Sequence, residues 1–130
     1  AIYHRKNVRL LNMKRREFGT MGEDLAVEFL KKYGYQIVCR NFYCRFGEVD
    51  IIATDTGDQL IFLEVKTRRG NAFGPPETSV DWRKQRKIRH AAMYFLSSKG
   101  AQYGDNYRFD IIALVFLSAG RVKIRHLKSV

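Results

Sequence analysis

The segment Tyr107–Phe116 is apolar on both of its alternating faces apart from Arg108 and Asp110. A half-exposed strand alternates apolar with polar residues, whereas a strand apolar on both sides must be covered on both, as a central strand between helices is. The chain is therefore expected to form an α/β domain. At 130 residues it is long enough to close a core without disulfides or a structural metal. Its longest apolar run, Ile111–Leu117, is strand-sized and far short of the ~20 residues that cross a bilayer, so no membrane partner is expected.

The remaining elements follow from local pattern. Thr20-Met21-Gly22-Glu23 has capping-box spacing, and Ala26, Val27, Leu30 and Tyr33 follow at helical intervals up to Gly34. Residues 35–43, 48–54 and 59–67 read as three strands of an antiparallel meander, the last two joined by Asp55-Thr56-Gly57-Asp58. The stretch from Arg68 to Thr78 contains Gly70, Gly74, Pro75 and Pro76 and reads as a loop. Ser79 can cap a second helix that places Ile88, Ala91, Ala92 and Phe95 on one face, with Lys84 and Gln85 extending that face toward its start and Gly100 as the stop. Arg121–Leu127 is a final, shorter strand. The expected order is α-β-β-β-α-β-β, a mixed five-stranded sheet flanked by helices. Residues 1–17 read as a basic arm and 18–130 as a single domain.

Charge points to the partner. Lys and Arg number 24 against 13 Asp and Glu, a net charge of +11 and a pI near 10.0. A polyanion, nucleic acid first, is the natural complement. Arg5, Lys6, Arg9, Lys14, Arg15 and Arg16 form one cluster, and Arg83, Lys84, Arg86, Lys87 and Arg89 a second. Cys39 and Cys44 lack the companions of a zinc site and read as small buried hydrophobes in a reducing cytoplasm. The basic start is not followed by an apolar signal segment, so cytoplasmic residence is expected. His4, His90 and His126 lie in basic surroundings and read as surface or phosphate contacts. Tyr33, Tyr35, Phe42, Tyr43 and Phe46 stand near basic residues and can stack bases, although core packing is expected for most.

Charges also occur where strands should be buried. Glu48, Asp50 and Ile52 share one face of their strand, and Leu60, Phe62, Glu64 and Lys66 one face of the next. A hairpin centred on Gly57, whose turn fixes the register to within one residue, would pair Asp50 with Glu64 and Glu48 with Lys66. Two acids facing across a ladder destabilise it unless a cation or a shared proton lies between them. Magnesium suits such a site, since it takes one or two carboxylates and leaves positions for water and phosphate. Lys66 beside it can hold an attacking water and offset charge on a phosphoryl oxygen. Alternatively, Glu48 and Lys66 form an ordinary cross-strand salt bridge. Asp110 reads as a buried partner for an arginine.

Asp50 followed by Glu64-Val65-Lys66 resembles the PD-(D/E)xK nuclease core of restriction-endonuclease-like proteins and archaeal Holliday-junction resolvases. Gly22-Glu23, Gly34-Tyr35, Asn41, Gly47-Glu48-Val49-Asp50, Phe62-Leu63-Glu64-Val65-Lys66-Thr67-Arg68, the Lys84 helix and Arg108-Phe109-Asp110 are together similar to the bacterial YraN family, described as endonuclease-like. The resemblance implies a three-layer restriction-endonuclease-like fold and a magnesium- or manganese-dependent endonuclease acting on DNA, including branched DNA. It implies Asp50, Glu64 and the Val65 carbonyl as metal ligands, Lys66 as the catalytic lysine and Glu23 as a supporting acid, a role that can coexist with that of a capping glutamate. Lys84 or Gln85 would lie at the scissile phosphate. Arg15 and Arg16 of the arm, which lies outside the resemblance, and Arg68, Arg83, Arg86 and Lys87 are expected from their charge to contact the backbone. A homodimer would suit two-fold substrates. The other reading is a nucleic-acid-binding module that keeps the fold without cutting.

Overall fold

The computed structural model describes residues 2–4, 15–70, 82–99 and 101–130. Ser79, Gly100 and the arm residues Arg5, Lys6, Arg9 and Lys14 lie outside them, as does most of the expected loop. The elements are β1 (Ile2–His4), α1 (Arg15–Lys32), β2 (Gln36–Cys44), β3 (Gly47–Thr54), β4 (Leu60–Arg69), α2 (Trp82–Ser98), β5 (Tyr107–Phe116) and β6 (Arg121–Leu127).

The five strands and two helices occur in the expected order. β2, β3 and β4 are an antiparallel meander, β5 runs parallel to β4 after the α2 crossover, and β6 returns antiparallel to β5. One strand is added. Ile2–His4 pairs antiparallel with Arg121–Lys123, extending the sheet to β1-β6-β5-β4-β3-β2.

Two apolar layers lie on opposite faces of this sheet. Leu25, Ala26 and Leu30 of α1 pack with Ile51, Ala53, Ile61, Leu63, Ile112 and Leu114. On the other face Ile88, Ala91, Ala92 and Phe95 of α2 meet Val49, Ile52, Leu60 and Phe62. β4 and β5 sit between the layers, which is why Ile111–Phe116 is apolar throughout. The architecture is three-layered, helix on sheet on helix.

The start of α1 corrects the capping-box expectation. The helix begins at Arg15, so Thr20 is interior and its Oγ1 donates to the Arg16 carbonyl at 3.0 Å instead of capping. Glu23 is thereby free of a capping role. The end of α1 is as expected: the N–H groups of Gly34 and Tyr35 reach the carbonyls of Lys31 and Leu30 at 3.1 and 3.0 Å. Arg68 belongs to β4 and not to a loop, because hydrogen bonding to β5 carries the strand through Arg69. Among the described residues, no helix is long and apolar enough to cross a membrane.

Candidate active site

β3 and β4 hold their register from Thr54↔Leu60 to Ile51↔Leu63. Continued by one step, that register would set Asp50 against Glu64, but the paired ladder ends at Ile51↔Leu63. There the ladder opens, and Asp50 Oδ2 accepts the Val65 N–H at 2.8 Å. β2 is irregular at the same level. Asn41 has φ 51°, a left-handed conformation within a strand, between the pairs Arg40↔Ile51 and Phe42↔Val49. Asparagine tolerates that backbone better than most residues, at a cost on the order of 1 kcal/mol.

The β2–β3 register runs unbroken through Asn41, its one shift lying between Ile37 and Cys39, while β3 itself changes phase at this level. Val49 packs under α2 whereas Ile51 packs under α1, although residues two apart in a strand normally share a face. Asp50 lies at the switch. The Asn41 side chain, its amide nitrogen turned toward the acids, donates to Glu23 Oε1 at 2.8 Å and Glu48 Oε1 at 3.0 Å. Glu23 is positioned by close packing of α1 on β4: a Cβ at Gly22 would collide with the Thr67 hydroxyl and lie 3.2 Å from its Cβ.

On the α2 side, the Glu64 side chain is only 4% exposed, and its Oε1 is 2.9 Å from both Lys66 Nζ and Lys84 Nζ. Lys66 comes from the same face of β4, two residues on. Lys84 reaches down from the first turn of α2, and Gln85 beside it lines the cleft that also holds Glu64, Ile88 and Phe109. The Glu48–Lys66 bridge is not formed, because Lys66 turns to Glu64 and Glu48 is taken by Asn41.

The electrostatics are those of acids held close without water. Burial pushes the Asp50 carboxyl up to about 6, with Glu64 and Glu48 adding to the rise and the Val65 N–H and Lys84 opposing it. Burial also raises Glu23, and Asp50 is the next contributor. For Lys84, burial alone would lower the pKa, but the hydrogen bond and charge of Glu64, with Asp50, hold it above the ordinary lysine value.

Asp50, Glu64, Val65, Lys66, Lys84, Gln85 and Glu23 thus converge. Arg83, Arg86 and Lys87 are exposed on α2, Arg68 is half-buried on β4 beyond Lys66, and Arg16 is exposed at the start of α1; the Arg15 side chain lies outside the description. Asn41, and Glu48 as part of the acid group, are additions to the expected site. An asparagine in the middle of a strand, where its β propensity is poor, was the available signal.

A second polar cluster lies apart. Asp110 is buried, with Arg108 Nε 3.0 and 3.1 Å from its two oxygens, His126 Nε2 2.8 Å from Oδ2 and the Ser129 N–H 2.9 Å from Oδ1. The arginine partner matches expectation. His126 does not: its side chain is largely buried, bonded to Asp110 and packed against the Tyr35 ring.

Neither cysteine is in a disulfide, and both are only partly buried, at the edge of the α2 layer. Among the described residues, no group of three or more His, Cys, Asp and Glu is arranged to hold a metal ion.

Solved structures with a partial similarity to this chain include the EndoMS–dsDNA2 complex, with TM-score 0.46 at 19% identity over 76% of this chain and 38% of that one, and a repair endonuclease from Pyrococcus abyssi, with TM-score 0.41 at 18% identity over 84% and 42%. Relatives in sequence are much nearer. UPF0102 proteins of Desulforamulus reducens and Caldicellulosiruptor saccharolyticus are 42% and 49% identical over 92% and 77% of this chain, and 98% and 83% of their own. A third, from Geobacter sulfurreducens, is 48% identical over 84% of each chain. The model of uncharacterised protein family UPF0102 matches residues 22–114, a span holding Glu23, Asn41, Asp50, Glu64, Lys66 and Lys84, and the chain belongs to that family, the YraN family its motifs resemble.

Proposed function

We propose that the protein is a magnesium- or manganese-dependent endonuclease that hydrolyses phosphodiester bonds in DNA, including branched or otherwise structured DNA. The observation that carries this reading is the fork at Asp50: two carboxylates at the mouth of an opened ladder, one pushed up to about 6, with two lysines on the other.

The donor set fits a hard cation. Asp50 and Glu64 offer carboxylate oxygens and Val65 a backbone carbonyl, and magnesium needs no more from the protein because it retains waters and takes phosphate oxygens. When bound, the cation supplies Lewis-acid polarisation of the phosphodiester. Lys66 orients the attacking water and offsets the charge that grows on the phosphoryl oxygen. Lys84 and Gln85 hold the scissile phosphate from α2, so that water attacks phosphorus as the bond to the departing oxygen breaks. Asn41 and Glu23 keep the acids in position. Arg83, Arg86 and Lys87 hold the backbone without reading sequence.

A specific observation favours the other reading, a binding module without hydrolysis: Glu64 is already neutralised by Lys66 and Lys84. Labelled linear, single-stranded, flap and four-way-junction DNA incubated with magnesium, manganese or chelator separates the two. We expect cleavage that needs metal and falls at least ~100-fold in Asp50→Ala and in Lys66→Ala. Binding without any cleavage that those substitutions remove would establish the module instead.

A further inference from the structure

The turn between β2 and β3 leans on α2. A Cβ at Gly47 would stand 3.3 Å from both the Cβ and the carbonyl oxygen of Lys87, so the turn rests directly on the helix there. Phe46 in that turn then lies beside His90 and Tyr94, with ring centroids 6.2 and 6.0 Å away, and the Arg45 guanidinium carbon is 4.8 Å from the Phe46 centroid. Phe46 is 38% exposed and Tyr94 43%.

The helix extends the surface toward the fork. Arg83, Lys87, His90 and Tyr94 succeed one another by four, three and four residues, which is a single helical stripe, and all four are exposed. The stripe begins next to Lys84. At about 1.5 Å per residue, His90 lies about 9 Å and Tyr94 about 15 Å along the axis from Lys84, a span of a few nucleotides.

One exposed aromatic is ordinary. Neighbouring exposed rings set among Arg45, Arg83 and Lys87 are the composition of a stacking platform, in which cations track the phosphates and rings receive base faces. A duplex offers only the first of these contacts, because its base faces are buried in its own stack. An unpaired strand offers both.

We propose that Phe46, His90 and Tyr94 stack unpaired bases of single-stranded DNA. Resting on the nuclease reading above, this makes the substrate a DNA with a single-stranded segment that runs along α2 beside the cut. Both rings pack on neighbours, so the tests keep an apolar side chain and remove only the aromatic face: Phe46→Leu and Tyr94→Leu, with Tyr33→Leu as an exposed aromatic elsewhere.

Fluorescence anisotropy in chelator, at fixed salt, measures affinity for a labelled oligothymidylate and for a blunt duplex. Expected is tighter binding of the single strand by wild type, a loss on the order of tenfold in Phe46→Leu and in Tyr94→Leu for the single strand alone, and no change in Tyr33→Leu. Equal affinity for the two forms, a loss shared by the duplex, or an equal effect of Tyr33→Leu would overturn the platform. Chelator keeps this test separate from cleavage. Ring-dependent binding without metal-dependent cutting sinks the nuclease reading alone, and cutting with binding indifferent to the rings sinks the platform alone.

Discussion

Asp50 is where folding and the proposed function oppose one another most directly. Loss of water raises its carboxyl from 3.8 to about 6, so the native state holds this proton more tightly than the unfolded chain does. Stability must then fall as pH rises between those values and level off above them, where the ionised group costs up to about 3 kcal/mol. An amide in its place removes the charge and keeps an oxygen for the Val65 N–H. In chelator, Asp50→Asn is expected to stabilise the protein by about 1–3 kcal/mol at pH 7.5 and to lose that advantage near pH 4. Urea unfolding at the two pH values measures the difference, and a gain independent of pH would show that ionisation of Asp50 is not its source. The same variant should not cut DNA.

Elements are joined by the Asp110 cluster more than by any other polar contact described. Arg108 on β5 pairs with Asp110 two residues on, and its Nη1 also reaches Asp55 at 3.2 Å and Gln59 at 2.8 Å in the β3–β4 turn. His126 brings in β6. Burial alone would raise Asp110, but His126, Arg108 and the Ser129 N–H outweigh it and hold the carboxyl below its ordinary range. Its contribution is therefore present above about pH 4 and lost as pH falls through the depressed folded value. Arg108→Leu leaves a buried carboxylate short of its main cation and is expected to cost about 3–5 kcal/mol near neutral pH. The penalty should shrink at acid pH, where Asp110 can take a proton; an undiminished loss there would point to packing of the arginine stem instead. Sequence pattern foresaw an arginine for Asp110 and Glu64 with Lys66 on one face of β4, because both follow from period-two geometry, whereas the expected Asp50–Glu64 pair lies one step past the end of the ladder. It did not foresee His126 on Asp110 or Lys84 on Glu64, which are brought together only by the pairing of β5 with β6 and by α2 crossing the sheet. The early start of α1 was hidden for a local reason: Thr20 and Glu23 fit a cap at least as well as they fit a helix interior. β1 was hidden because three residues carry no period.

At the scale of the whole molecule, the +11 charge has opposed effects on folding and on binding. Like charges repel across a compact protein, so screening them should favour the folded state. The proposed nucleic-acid binding would depend on the same charges through release of counterions, so screening should weaken it, with a slope of about −0.7 to −0.9 in log affinity against log salt per phosphate contacted. Raising salt from 50 to 300 mM should therefore increase the melting temperature of the free protein while it lowers affinity for any DNA. Arg86 and Lys87, both exposed on α2, belong to the second effect more than to the first. The double substitution Arg86→Gln and Lys87→Gln is expected to make the binding slope shallower by about one to two units, equally for unrelated sequences, while leaving the free protein at least as stable at low salt. Melting curves and anisotropy titrations on the same samples test both halves. A salt-independent affinity would remove phosphate contact from the account of this surface, and an unchanged slope in the double variant would move those contacts to other basic residues.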